Sequence, residues 1–116
     1  MEDKITYIDL ENGLNRVRGN RKLYFDMLKL FLQAKEIGLM EESLQARDME
    51  RAASVAHAIK GMTGNLSFSA LFAATNDLLE SLRANAWDEV LIARYRQALE
   101  KTLEHLREMI REAGPR

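Results

Sequence analysis

Apolar residues recur along this chain at three- and four-residue steps, the spacing of one helix face, in five stretches separated by capping residues and glycines. In YIDLENGLNRVRGN, Asp9 is placed to cap a short helix that carries Leu10, Leu14 and Val17 on one side and stops at Gly19. Asn20 caps the next stretch, where Leu23, Met27, Leu30, Phe31 and Ala34 form an amphipathic stripe. Gly38 interrupts this pattern, so residues 20–46 read either as one long helix with a local irregularity or as two helices broken at that glycine; we take the single helix. Asp48 caps MERAASVAHAIKGMTGNL, whose stripe of Met49, Ala52, Ala53, Ala56, Ile59, Thr63 and Leu66 is narrow and made mostly of small side chains. Leu71, Ala74, Leu78 and Leu82 mark the next helix. Val90, Leu91, Tyr95, Ala98, Leu99, Thr102, Leu106 and Ile110 mark the last, which Gly114 and Pro115 end.

Helices are thus expected over residues 9–18, 20–46, 48–66, 68–84 and 88–112, with Phe25, Phe31, Phe68, Phe72 and the methionines in the core. Short connections favour antiparallel neighbours, and no repeat or low-complexity segment breaks the pattern. The expected fold is all-α, an up-and-down antiparallel four-helix bundle with a short extra N-terminal helix, in a single domain over residues 1–116. Composition agrees: among 116 residues, 47% are hydrophobic and 30% charged, with one proline and six glycines, too few turn-formers for a β or disordered chain.

Charge narrows the partners. Seventeen basic and 18 acidic residues leave a formal net charge of −1, so no general attraction to nucleic acid or anionic membrane exists. The absence of cysteine excludes disulfides, thiolate metal sites and cysteine nucleophiles, and fits a cytoplasmic protein. No apolar run reaches the roughly 18 residues of a membrane span, and the first residues lack a signal-peptide core.

The chemistry concentrates in SVAHAIKGMTGNLSF, residues 54–68, because a helix interior loses roughly 1 kcal/mol at each glycine relative to alanine. On a helix, His57 lies one step off Ala56 at the edge of the apolar stripe and reaches solvent, while Lys60, Gly61 and Gly64 continue along its side at i+3, i+4 and i+7. Imidazole is nucleophilic near neutral pH, and a phosphoryl group on it carries nearly two negative charges. Lys60 would offset part of that charge. Bare backbone at Gly61 and Gly64 would let another protein's active site approach the ring.

The segment AHAIKGMTGNL resembles the signature of histidine-containing phosphotransfer (HPt) domains, a histidine followed at three and four residues by lysine and glycine. YIDLENGLNRVRGNRKLYFDMLKLFL and LLESLR are similar to that family as well, so the resemblance covers about residues 7–110. It implies that His57 is phosphorylated, through its outward Nε2, that Lys60 is its charge partner, and that Gly61 with Gly64 gives clearance for the docking partner. It also implies a phosphoryl carrier without autonomous kinase activity, exchanging with aspartates of response-regulator receiver domains and fed by a hybrid histidine kinase. No cofactor of its own is expected, Mg²⁺ belonging to the receiver. A monomer is expected. One departure is Ser67, where the family has glycine, and a local change in turn or packing should accompany it.

Other classes fit less well. A di-iron bundle needs Glu-x-x-His pairs, but Ser54 and Thr102 stand three residues before His57 and His105. GMTGN is neither a phosphate-binding loop nor a dinucleotide fingerprint. His105 is expected on a solvated face without chemistry. The alternative to a carrier is a helical docking or adaptor module of the same fold in which His57 is never phosphorylated.

Overall fold

Side-chain caps set where the helices begin. In the computed structural model, which describes residues 5–113, the carboxylate of Asp9 accepts from the amide of Asn12 and opens α1 (Leu10–Arg16). Asn20 accepts from the Leu23 amide at 3.0 Å and opens α2 (Arg21–Leu32). Asp48 accepts from the Arg51 amide ahead of α4 (Met49–Leu66), and Asp88 from Val90 and Leu91 ahead of α6 (Glu89–Ala113). Between them lie α3 (Lys35–Gln45) and α5 (Ser69–Arg83). Each such cap is worth about 1 kcal/mol. The expected stop at Gly114 and Pro115 lies outside the described residues.

Helices α3 to α6 follow one another as packed neighbours, α3 on α4, α4 on α5 and α5 on α6. Helix α2 closes the bundle against α4 and α6, and α1 lies across α2 and α4. This is the antiparallel helical bundle with a short N-terminal helix, and no strand occurs among the described residues. The buried stripe of α4 is Ala52, Ala56, Ile59, Thr63 and Leu66, and its small members let the flanking helices approach closely. Around it pack Tyr24, Leu28, Phe31, Met40, Phe68, Leu71, Leu78, Leu79 and Ile92.

The single helix expected over residues 20–46 is two helices. Its break falls at Gln33–Ala34, where Ala34 turns extended, and not at Gly38, which lies inside α3 with open space around it. The reason is helical phase. The buried row Tyr24, Leu28, Phe31 would continue through Lys35 and Gly38, whereas the apolar residues of the next stretch are Ile37, Met40 and Leu44, so only a break turns both rows to one core.

The stripe within α2 is also rotated one residue from the expected one. Tyr24, Phe25, Leu28 and Phe31 are buried, while Leu23 and Leu30 are 44% and 66% exposed. The competing row wins because it carries the larger rings and a specific anchor: the Tyr24 hydroxyl donates to the Leu66 carbonyl at 2.8 Å. Gly13 makes room for that ring, since a Cβ there would stand 2.5 Å from it. Burial, with Asp9 adding to it, pushes the Tyr24 phenol up to about 12. In α6, Ile92 is buried where Val90 was expected, because Val90 sits in the first turn and is 69% exposed. Phe72 departs from the core as well, at 37% exposure. Of the methionines, Met40 is buried, Met27, Met49, Met62 and Met109 pack at its margin, and Met1 lies outside the described residues.

Ion pairs tie the outer faces. The Arg96 guanidinium donates twice to the Glu41 carboxylate, at 3.1 and 2.8 Å, joining α6 to α3 and holding that carboxyl below the usual carboxylate range. Arg94 and Asp77 join α6 to α5. No helix among the described residues is long and apolar enough to cross a membrane.

Candidate functional site

The stripe that anchors α4 in the core fixes what its opposite side presents. With Ala52, Ala56, Ile59 and Thr63 turned inward, Glu50, Ser54, His57, Gly61 and Asn65 form the exposed row, each about one turn from the next. His57 therefore stands in the middle of the solvent face rather than at the edge of the apolar stripe. Gly61 follows it one turn on, and a Cβ there would meet nothing within 4 Å. Packing of another helix of this chain against Gly61 is thereby excluded among the described residues.

Helix α5 forms one flank of this row. A helical hairpin turning at Ser67–Phe68 brings Phe72 over Gly64, where an added Cβ would stand 3.2 Å from the ring. Gly64 is half-buried and its missing side chain makes room for Phe72. Lys60, also half-buried, places its Nζ 6.0 Å from the centre of the same ring. Further along α5, the Arg83 guanidinium comes within 3.3 Å of Nδ1 of His57. Because arginine has donors only, a hydrogen bond across this contact needs a lone pair on Nδ1. Arg83 thus stands beside the imidazole, while Lys60, one turn along its own helix, extends toward Phe72. Arg83 was missed in the sequence because it lies 26 residues from His57. Only the helical hairpin of α4 and α5, with the reach of a long arginine side chain, brings the two together.

Helix α2 forms the other flank. Met27, Leu30, Phe31, Met62, Asn65 and Leu66 line an open groove of about 250 Å³ between α2 and α4. The exposed Leu23 and Leu30 extend its apolar margin. The sequence reading assigned Leu23 and Leu30 to the apolar stripe, so this part of the rim was present in the pattern but given the wrong side.

The far end of the row is closed by Ser67. It terminates α4 in the left-handed region, φ +62°, which explains why glycine suits this position. Its hydroxyl bonds to Oδ1 of Asn12 at 2.6 Å, and its carbonyl accepts from the Asp9 amide at 2.9 Å. The serine thereby fastens α1 to the end of α4. His105 is exposed on α6 and stacks on Tyr7 with ring centres 5.0 Å apart. The backbones of α6 and α4 do not approach closely, so the two histidines are not brought together.

No group of histidine, cysteine, aspartate or glutamate residues that could hold a metal ion occurs among the described residues. What the site does present is an exposed imidazole, an arginine beside it, a lysine one turn away and an uncovered stretch of backbone on one helix. Such an arrangement suits transfer of a small anionic group between proteins, because it positions a nucleophile without enclosing a substrate.

No curated protein and no solved structure matches the chain significantly. The family model for the Hpt domain matches residues 26–113, about three quarters of the chain, including all of α3, α4, α5 and α6. This chain belongs to the Hpt domain family, the phosphocarrier modules of two-component signalling.

Proposed function

We propose that this chain carries a phosphoryl group on Nε2 of His57, taking it from and returning it to aspartates of response-regulator receiver domains, within a cytoplasmic relay fed by a hybrid histidine kinase. The observation that carries the reading is the exposed row of α4, where His57 is followed by a glycine that nothing in the chain packs against. Lys60, one turn on from His57 on the same side of α4, supplies positive charge that favours an incoming phosphoryl group. The reacting phosphorus comes from an acyl phosphate on the partner, where Mg²⁺ neutralises the oxygens, so this chain contributes position and a lone pair.

The partner docks along the α4 row, with Gly61 giving clearance to the rim of the receiver's active site and the apolar groove of Met27, Leu30 and Met62 giving it a seat. Leu23 and Leu30 support this role, since apolar side chains at 44% and 66% exposure gain by being covered. Gly64 contributes to the same surface by letting the Phe72 ring approach α4 closely. The chain acts as a monomer in a one-to-one encounter.

Incubation with a phosphorylated receiver domain should place acid-labile phosphate on His57, located by mass spectrometry. The His57→Gln variant should take none. Label retained by that variant, or found on His105, overturns the assignment.

A further inference from the structure

Resting on the carrier reading, we propose that Arg83 is a positioning residue that latches His57: it holds Nδ1 as a hydrogen-bond acceptor in the empty and loaded states and must release it for transfer.

The geometry is a guanidinium nitrogen 3.3 Å from Nδ1. Every polar hydrogen of arginine is a donor and the group stays charged, so the contact requires a lone pair on Nδ1. In the empty protein the ring's one proton is therefore on Nε2, the nitrogen that faces solvent. That tautomer cannot attack. Its Nε2 lone pair is used in the N–H bond, and the Nδ1 lone pair points at Arg83.

Attack requires the other tautomer. Nε2 gives its proton to water, Nδ1 takes one from water, and the Arg83 contact breaks because donor would face donor. The freed Nε2 lone pair then forms the N–P bond while the P–O bond to the partner's aspartate breaks, its electron pair leaving with the carboxylate. The ring is now a phosphoimidazolium with a proton on Nδ1. Loss of that proton to water restores the Nδ1 lone pair, and Arg83 bonds it again.

Both resting states thus keep the contact, and the reacting form in either direction lacks it. An interaction present in the ground states and absent in the transition state slows the reaction both ways while leaving the equilibrium nearly unchanged. Arg83 is free to act in this way because it sits in the last turn of α5, exposed, with His57 Nδ1 as its hydrogen-bond partner. Lys60, on the helix of His57 itself, points instead toward Phe72 and leaves Nδ1 to Arg83.

The test uses the whole chain with ¹⁵N-labelled histidine, in mildly alkaline buffer where imidazole is neutral, as wild type, Arg83→Ala and Arg83→Lys. Long-range ¹H–¹⁵N correlation spectra report the tautomer, and the His57 signals are those missing from His57→Gln. Wild type should show Nε2–H with an unprotonated Nδ1, Arg83→Ala should drift to the mixture of a solvent-exposed histidine, and Arg83→Lys should recover part of the bias. Phosphoramidate should load Arg83→Ala about fivefold faster than wild type, the factor expected for losing one exposed charge-assisted hydrogen bond. A wild type carrying its proton on Nδ1, identical spectra for wild type and Arg83→Ala, or slower loading of Arg83→Ala overturns the latch. A wild type that takes no label overturns the carrier reading and the latch with it. A labelled wild type whose rate Arg83→Ala leaves unchanged overturns the latch alone.

Discussion

Gly61→Gln separates the needs of the fold from the needs of the partner, because the two act with opposite signs. A glycine inside a helix is less favourable than alanine by about 0.8–1 kcal/mol, and glutamine recovers much of that difference. The full gain is expected only where the new side chain meets no obstacle, and a Cβ at Gly61 has nothing within 4 Å. Taking about 2.1 cal/mol/K of unfolding entropy per residue for 116 residues, 1 kcal/mol corresponds to roughly 4 °C, so the melting temperature should rise by about 2–4 °C. Transfer from a phosphorylated receiver should nevertheless fall sharply, since the side chain stands one turn from His57 on the exposed row. Phosphoramidate, too small to need the clearance, should still load the variant. Gly38→Gln is the control, an exposed helical glycine with equally open surroundings on α3, which should gain the same stability and leave transfer unchanged. Thermal melts, phosphoramidate labelling and receiver transfer on the two variants decide the matter. Destabilisation of Gly61→Gln, or normal transfer from the receiver, would refute the reasoning.

Lys60→Ala should slow transfer or shorten the lifetime of the phosphohistidine while shifting unfolding by less than about 1 kcal/mol, because a half-exposed lysine contributes little to folding; unchanged kinetics would make Lys60 a bystander. Tyr24→Phe should cost about 1 kcal/mol in urea unfolding at neutral pH through loss of the bond to Leu66. The Tyr24 phenol is raised in the folded state to about 12 against an ordinary 10, so its contribution is intact below pH 10 and lost as pH rises toward 12, and the variant should unfold less steeply across that window. At the left-handed Ser67, Ser67→Gly should stay close to wild type because relief of the backbone offsets the lost bond to Asn12. Ser67→Ala keeps the strain and loses the bond, so calorimetry should find it lower by about 1 kcal/mol.

What was legible in the sequence follows from the range of each interaction. The α4 stripe was read correctly because a row of small and apolar residues at helical spacing leaves one way to face the core, and His57, Lys60 and Gly61 stand out as candidates because their relation lies within about one turn. Helix α2 carries two apolar rows one residue apart, Leu23, Met27, Leu30 and Tyr24, Leu28, Phe31, and periodicity alone does not rank them. The choice is made by distant partners, the Leu66 carbonyl that takes the Tyr24 hydroxyl and the bare Gly13 that admits its ring. The break at Gln33–Ala34 is written in the phase shift between Phe31 and Ile37, whereas Gly38, the stronger local helix breaker, lies inside α3. Arg83 depends on the register of a hairpin and has no local signature.

The glycines show how the fold and the site divide one helix between them. Gly13 is required by the Tyr24 ring, Gly64 by Phe72, and Gly19 by a backbone at φ +77°; each exception to local propensity is answered by something inside the chain. Gly61, like Gly38 on α3, is answered by nothing inside it; what sets Gly61 apart is its place one turn from His57. It weakens α4 where packing returns nothing, beside the one nucleophile that the opposite face of the same helix holds out to solvent. Sequences depart from local consistency mainly at sites with another purpose. On the carrier reading the compensation for Gly61 lies in the docking partner, and α4 can lose stability there because Ala52, Ala56, Ile59, Thr63 and Leu66 hold the helix by its other side.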